Sequence, residues 1–488
     1  MRDKVVIIGA GLGGLECGYI LARHGFDVTV LEQSQYIGGC IQSFMRGSRI
    51  FDTGLHYVGG LAEGEPLNRI FRYFGLMDLP WKQLDRDCFD QVSIGEKSYC
   101  FPSGFMEFEK YVSDCFPGEK DGVHRYAELL RSVSEHIFDI FSPDRDSSES
   151  FHTPLLQTSA YGFLNNTFSD PELRKMLCGT SIRMELDAES LPLYEFAQIN
   201  SSFIGSAWRL SGGGSRIAES LAAGIESMGG RVRTSARVTA LSNHDGRIAS
   251  VQVNGEEIIQ SDWVVSDIHP AATLSLLSGG IRKLYRDRIV SLPNSFGIFT
   301  ANIALKPGTL RYVDRNIYIH KAGSDPWHPV PGRTDSVMVH WYMDSDGDCS
   351  RMDLMTPMWW HEVERWSGFP PGRRGEDYVE FKRRKTDECL DLAELQVPGL
   401  KDAVERIYTS TPLSYSSYLL DPEGTAYGIK KDWRTPVSSV ISPRTPVSNL
   451  LLTGQNLNLH GLLGVSVTSF LTCSCLLGQG FARADLAI

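Results

Sequence analysis

Val5-Val6-Ile7-Ile8-Gly9-Ala10-Gly11-Leu12-Gly13-Gly14, followed by Val28-Thr29-Val30-Leu31-Glu32, decides the fold. Four branched apolar residues run into a glycine turn, a helical pattern follows, and a second apolar run ends on an acid. In such a unit Gly9 permits the tight turn, Gly11 leaves room for backbone to approach a diphosphate, and Gly14 lets the helix pack on the strand. The amides at the helix N-terminus then face the phosphates. Glu32 stands 21 residues after Gly11, where a carboxylate accepts hydrogen bonds from ribose hydroxyls and favours an unphosphorylated ribose. The unit predicts an α/β fold with a bound dinucleotide, and by itself it leaves FAD and NAD open.

Three further segments bear on that choice. Gln33-Ser34-Gln35-Tyr36-Ile37-Gly38-Gly39-Cys40 places a Gly-Gly pair soon after the ribose acid; Phe51-Asp52-Thr53-Gly54-Leu55-His56-Tyr57 follows; and Leu452-Thr453-Gly454-Gln455-Asn456-Leu457-Asn458-Leu459-His460-Gly461 lies near the C-terminus. Together they resemble the phytoene desaturase, carotenoid isomerase and all-trans-retinol 13,14-reductase (retinol saturase) family of FAD-dependent oxidoreductases. An internal block, Gly212-Gly213-Gly214-Ser215 through Val238, shares the resemblance.

The resemblance implies FAD, held tightly and noncovalently by Gly9, Gly11, Gly13, Gly14, Glu32, Gln33, Gly38, Gly39, Cys40, Val238, Gly454, Gln455, Gly464 and Val465. Val238 would meet the adenine side through its backbone, and the Thr-Gly-Gln segment would close over the ribityl and flavin end. Many related flavoproteins carry arginine after the Gly-Gly pair. This chain has Cys40, so no diphosphate contact from an arginine is carried over. A covalent flavin would need a nucleophile such as Cys473 or Cys475 turned inward.

The chain has 488 residues, more than one core usually holds, so at least two domains are expected. At 42% hydrophobic and 22% charged, its composition is that of a globular protein. A formal charge of -11 argues against nucleic acid as partner. The basic run Lys382-Arg383-Arg384-Lys385, flanked by Glu380 and Asp387, reads as a solvated helix face. Met1-Arg2-Asp3-Lys4 leads directly into the first strand, which points to a cytoplasmic protein without a signal peptide.

Ten cysteines show no C-x-x-C spacing and are read as reduced, small hydrophobes, and no metal site is expected. From Ser448 to Ala482 no Lys, Arg, Asp or Glu occurs. Polar residues interrupt this run repeatedly, so Leu462 to Leu477 reads as a buried helix whose positive end would suit a reduced flavin.

The pattern predicts a Rossmann-type FAD-binding domain, discontinuous in sequence (1–66, 203–273 and 437–488), with a second, mixed α+β substrate domain (67–202 and 274–436). Helices are expected at Tyr126 to Phe141 and Arg216 to Met228, and Ser142 to Ser150 reads as a loop. Two strands flank the turn Asn243-His244-Asp245-Gly246, and Trp263-Val264-Val265 reads as another. Trp359, Val363 and Trp366 share a helical face, either as core or as a membrane-facing substrate entry.

In flavin chemistry the protein mainly places a substrate carbon and manages one proton. His56 and His460, beside the family segments, are the candidate catalytic residues, because imidazole titrates near neutrality; both could instead only hydrogen-bond backbone beside the cofactor. The resemblance implies two hydrogens added to or removed from carbon–carbon bonds of an apolar isoprenoid-like substrate, a carotenoid or retinoid. It also implies weak, peripheral membrane contact. No second G-x-G-x-x-G follows a strand, so the electron partner is left open among a quinone, oxygen and a diffusible reductant. Two alternatives stand: a flavin amine oxidase, and a non-catalytic prenyl carrier on the same fold, of the dissociation-inhibitor type.

Overall fold

The computed structural model describes residues 3–142, 145–343 and 347–488, with the backbone alone at 145–150. The opening segment forms strand β1 (Lys4–Ile8), helix α1 (Leu12–Arg23) and strand β2 (Asp27–Leu31). Gly9 turns between β1 and α1 at φ +95°, a conformation that a side chain would strain. A Cβ on Gly14 would collide with the Gly9 carbonyl, so helix and strand approach as closely as they do only because both lack side chains.

Strands β3 (Arg231–Arg233), β4 (Trp263–Ser266) and β5 (Leu450–Leu452) complete a five-stranded sheet in the order β3-β2-β1-β4-β5. Every pairing in it is parallel, with Val5 opposite Val28 on one side and Trp263 on the other. This is the order of a doubly wound dinucleotide fold, 3-2-1-4-5, with the reversal beside β1. Val5, Ile7, Val28 and Val30 are buried, as a parallel sheet covered on both faces requires. Helix α1 packs between α2 (Ser215–Ser227) and α3 (Gly461–Leu477). Full burial of each branched side chain in this layer contributes about 1.5–3 kcal/mol.

A second, seven-stranded sheet is mixed. Its order is Val404–Ser410, Gly297–Leu305, Arg351–Met358, Ser336–Tyr342, Asn316–His320, Asp90–Ile94 and Lys97–Phe101. All its pairings are antiparallel except that of Asn316–His320 with Asp90–Ile94. That parallel junction joins chain from before the Ser215–Ser227 helix to chain from well after it.

Several sequence expectations meet the structure directly. The helix expected at Arg216 to Met228, the strands flanking the Asn243 turn and the strand at Trp263 are present. Leu462 to Leu477 lies in α3, whose residues from Leu463 to Phe470 are buried, and among the described residues no helix is long and apolar enough to cross a membrane. The 126–141 segment divides into Lys120–Glu135 and a 3-10 turn at Ile137–Phe141.

Others are corrected. Of the loop expected at Ser142 to Ser150, residues from Arg145 onward are instead helical, in a helix that runs to Leu156; Pro143 and Asp144 lie outside the described residues. The cysteines are not all reduced. A tight hairpin pairs Gln91 with Cys100 and carries Cys88 beside it, and Cys88 and Cys100 form a disulfide with Cα atoms 4.9 Å apart. In the basic run Arg383 pairs with Glu380 and Asp387 in solvent, but Lys385 is buried and donates to Gly332 O (3.0 Å) and Thr334 Oγ1 (3.2 Å). Val363 and Trp366 are core residues, packed with Tyr378 and Phe381, so the Trp359 stripe is no entry face.

Candidate active site

A cavity of about 430 Å³ opens at the carboxyl ends of β1, β2, β4 and β5 and runs to the second sheet. In a doubly wound sheet the strand order reverses beside β1, so the helices diverge there and leave a crevice. Gly9, Gly11 and Gly13 follow β1, Glu32 and Gln33 follow β2, Asp267 follows β4, and Gly454 and Gln455 follow β5; all of them line the cavity. Gly38, Gly39, Cys40, Val238, Val465, His56 and His460 line it too. Gly14 and Gly464 do not. Gly14 serves the helix–strand contact, and at Gly464 a Cβ would lie 2.6 Å from the Leu459 carbonyl, so that glycine lets α3 begin tightly against the preceding turn.

The glycine loops fit a diphosphate. A Cβ on Gly11, Gly13 or Gly454 would come within 2.5 Å of the Asp267 carboxylate, and the Gly11 and Gly14 amides hydrogen-bond that carboxylate. An anion thus already sits on the amides at the N-terminus of α1. Burial pushes the Asp267 carboxyl up to about 7, with the charges of Glu32 and Asp421 adding to the rise and the two amides opposing it. Glu32 is aimed by two backbone donors, Ala10 N (2.9 Å) and Ser34 N (2.8 Å), as a ribose-binding acid should be. Gly38 N donates to Ala10 O at 2.7 Å, and a Cβ on Gly39 would stand 3.3 Å from Gly11 Cα, so the Gly-Gly pair closes on the first glycine loop. Burial raises the Cys40 thiol, which keeps it protonated. Cys473 does not line the cavity, and its Sγ lies 3.9 Å from Cys17 O.

The two histidines stand in different settings. His56 Nε2 lies 3.3 Å from Asp353 Oδ2. Asp353 is fully buried and accepts from Tyr342 Oη (2.7 Å) and Asn302 Nδ2 (2.7 Å), so the carboxylate that faces His56 is itself fixed. His460 donates from Nε2 to Arg183 O at 2.9 Å, packs at a 33° tilt against Tyr427 with ring centroids 4.3 Å apart, and turns Nδ1 toward Glu195 Oε1 at 3.4 Å. Burial lowers His460 to about 4, the Arg183 carbonyl opposing and Lys431 reinforcing the fall, so this imidazole is neutral near pH 7. Glu195 is pushed up to about 7 by burial, partly offset by Lys431.

Away from the glycine loops the walls are apolar and aromatic: Ile182, Ile199, Phe203, Ile298, Met338 and Met355, with Tyr57 and Tyr318. Sequence reading missed Asp267, Arg183, Glu195 and Asp353. Asp267 had a signal, since it directly follows a recognised strand at the end where ligands bind. The other three come from the second sheet and its flanking helices, where the sequence carries no motif.

Residues 12–285 match the family described as flavin containing amine oxidoreductase, and the chain belongs to that family. It is 27% identical over 526 residues to the all-trans-retinol 13,14-reductase of Danio rerio, covering 96% of this chain and 84% of that one. It is 23% identical over 460 residues to prolycopene isomerase 2, chloroplastic, of an Oncidium hybrid cultivar, covering 87% and 74%. The fold matches an oxidoreductase structure from Methanosarcina mazei with a TM-score of 0.63 at 17% identity, covering 96% and 99% of the two chains. The protein is an FAD-dependent oxidoreductase. The carrier alternative falls with that assignment.

Proposed function

We propose that this enzyme adds or removes two hydrogens at carbon–carbon bonds of an apolar, isoprenoid-like substrate of the carotenoid or retinoid kind. The observation that carries the reading is the apolar wall that continues from the glycine loops to Met338 and Met355 of the second sheet. A polyene gains about 0.8 kcal/mol for each methylene-sized unit it buries there. The named relatives that act on retinol and prolycopene support the same substrate class.

In this reading residues 1–66, 203–273 and 437–488 form the FAD-binding domain, and 67–202 with 274–436 form the substrate domain. Bound flavin supplies hydride acceptance or donation. The glycine loops and Glu32 hold its diphosphate and ribose, and Val238 and Gln455 flank its two ends. His56, whose Nε2 lies 3.3 Å from Asp353 Oδ2, holds or takes up the proton. His460, with both ring nitrogens facing protein groups, positions the Arg183 backbone. Tyr418 (64% exposed) and Leu420 (44%) line the cavity at its rim. They replace the Trp359 stripe as the point of weak membrane contact through which a lipid-dissolved substrate enters.

Anaerobic flavin reduction and reoxidation, screened against retinoids, carotenoids and amines, tests the reading. A redox change with a polyene supports it. A change with amines alone favours the amine oxidase alternative, for which the tyrosines Tyr415 and Tyr427 in the cavity wall are the supporting feature.

A further inference from the structure

Beside the large cavity, and sharing a wall with it, lies a void of about 10 Å³. That is about the room one water needs. Gln198, Ser202 and Leu463 line both spaces, so they form the partition between them. Gln198 and Ser202 stand four residues apart on the helix Leu193–Gly205 and therefore share one face of it. Gln198 is only 3% exposed, and among the described residues no hydrogen bond reaches its side-chain amide. Ser202 Oγ donates to Ile199 O at 3.0 Å, which leaves its lone pairs free to accept. Across the void stand Glu65 and Ser134, both half-buried and each beside an exposed residue, Gly64 and Glu135. Glu65 Oε2 accepts from Ala62 N (2.7 Å) and from Ser206 Oγ, while among the described residues no donor reaches Oε1.

A buried amide without a partner destabilises a fold, and a water bonded to Gln198 and Ser202 on one side and to Glu65 on the other removes that cost. Moving two hydrogens between a substrate and a flavin moves one hydride and one proton, and the proton passes between the site and bulk solvent. Away from the glycine loops the other walls are apolar and aromatic, and His56 faces the fully buried Asp353, which gives no exit. We propose that the Gln198–Ser202 partition is the proton entrance of the cavity: it holds a water between the site and Glu65, and Glu65 exchanges the proton with solvent. Burial raises the Glu65 carboxyl, against the two donors on Oε2, toward the range in which an acid gives and retakes a proton near neutrality. The relay rests on the flavin assignment alone. It serves either direction of the reaction and either class of substrate.

The test is anaerobic reoxidation of the reduced, FAD-loaded enzyme by ferricenium, followed by stopped flow as the return of flavin absorbance. Two ferricenium ions take the two electrons, and the N–H proton of the reduced cofactor leaves for solvent. The wild-type rate should be lower in deuterated than in ordinary water. It should fall about tenfold or more in Glu65→Gln, and added formate should restore it in proportion to its concentration. Rescue by a small acid separates a lost relay from a disturbed structure. Should that variant not fold, Gln198→Leu, which removes an amide that no protein group uses, should show the same loss of rate at unchanged flavin content. A wild-type rate indifferent to deuterated water, an unchanged rate in either folded variant, or a slowed Glu65→Gln that formate does not restore overturns the relay. Each of these outcomes leaves the flavin assignment and the proposed substrate class standing.

Discussion

The Asp267 carboxylate lies over Gly11, so close that a Cβ there would stand 2.5 Å from Oδ2. An acid therefore occupies the amides that a diphosphate would use, and the two anions compete. The Asp267 carboxyl, near 7, is neutral below that pH and negative above it. Diphosphate repels the negative form, so binding takes up a proton. FAD affinity should fall as pH rises above about 7, by at most about tenfold per pH unit for one linked proton. Asp267→Asn should tighten binding and flatten that slope. Titration of the apoprotein with FAD across pH 6 to 9 measures both, and a parallel slope in the variant would dismiss the competition.

Gly11→Val should abolish FAD binding, because a branched side chain fills the cradle. The loss should appear as missing flavin absorbance in a folded protein. FAD bound by the wild type should be released free on denaturation, since Cys473 points at Cys17 and the Cys40 thiol is held protonated. Flavin fixed to a peptide, or NAD in its place, would contradict this.

The two histidines should behave differently. His56→Gln should lower turnover by about 10²–10⁴-fold, the range expected when a proton-transfer group is lost, with flavin content retained. His460→Gln should act on stability. A histidine held near 4 when folded and near 6.5 when unfolded binds its proton preferentially in the unfolded chain. It thus destabilises the fold as pH drops from 6.5 toward 4, and its contribution is constant above 6.5. Melting curves at pH 5 and 7.5 should show a smaller acid penalty in the variant; an unchanged penalty would count against the assignment.

Membrane contact, if centred on the rim, should depend on Tyr418 and Leu420. Co-sedimentation with liposomes should fall several-fold in the Tyr418→Ser, Leu420→Ser double variant. Trp366→Ser should instead lower the melting temperature, because that indole is core and donates from Nε1 to Asp377 Oδ2 at 2.8 Å. Wild-type protein that ignores liposomes would remove the membrane role.

The nucleotide end was legible because its chemistry is written in backbone requirements. Gly9 must turn, Gly11 must leave room, and Glu32 must end a strand, so each leaves a local mark in sequence. The segment around Gly454 was found differently, through its resemblance to the family, and the strand that precedes it left no mark of its own. Around the substrate the legible marks stop. Arg183, Asp90 and Tyr318 meet only when strands from two distant stretches pair in parallel, and no short-range pattern records that pairing. The Trp359 stripe stood open between core and entry for a related reason: helical periodicity shows that one face is apolar but not what covers it. Cys88 and Cys100 were misread because spacing says nothing of the hairpin that joins them.

The sheet beneath the glycine loops draws strands from residue 4 to residue 452. Its first strand leaves the ribosome hundreds of residues before its last, and β4 has no β5 neighbour until Leu450–Leu452 has been made. The half-built sheet exposes an unpaired parallel edge for most of that time, a state prone to misassociation. The pocket wall formed by Gly454, Gln455, His460 and Val465 is translated after every other strand of that sheet, so the cofactor cradle stays open on one side until β5 and α3 are in place.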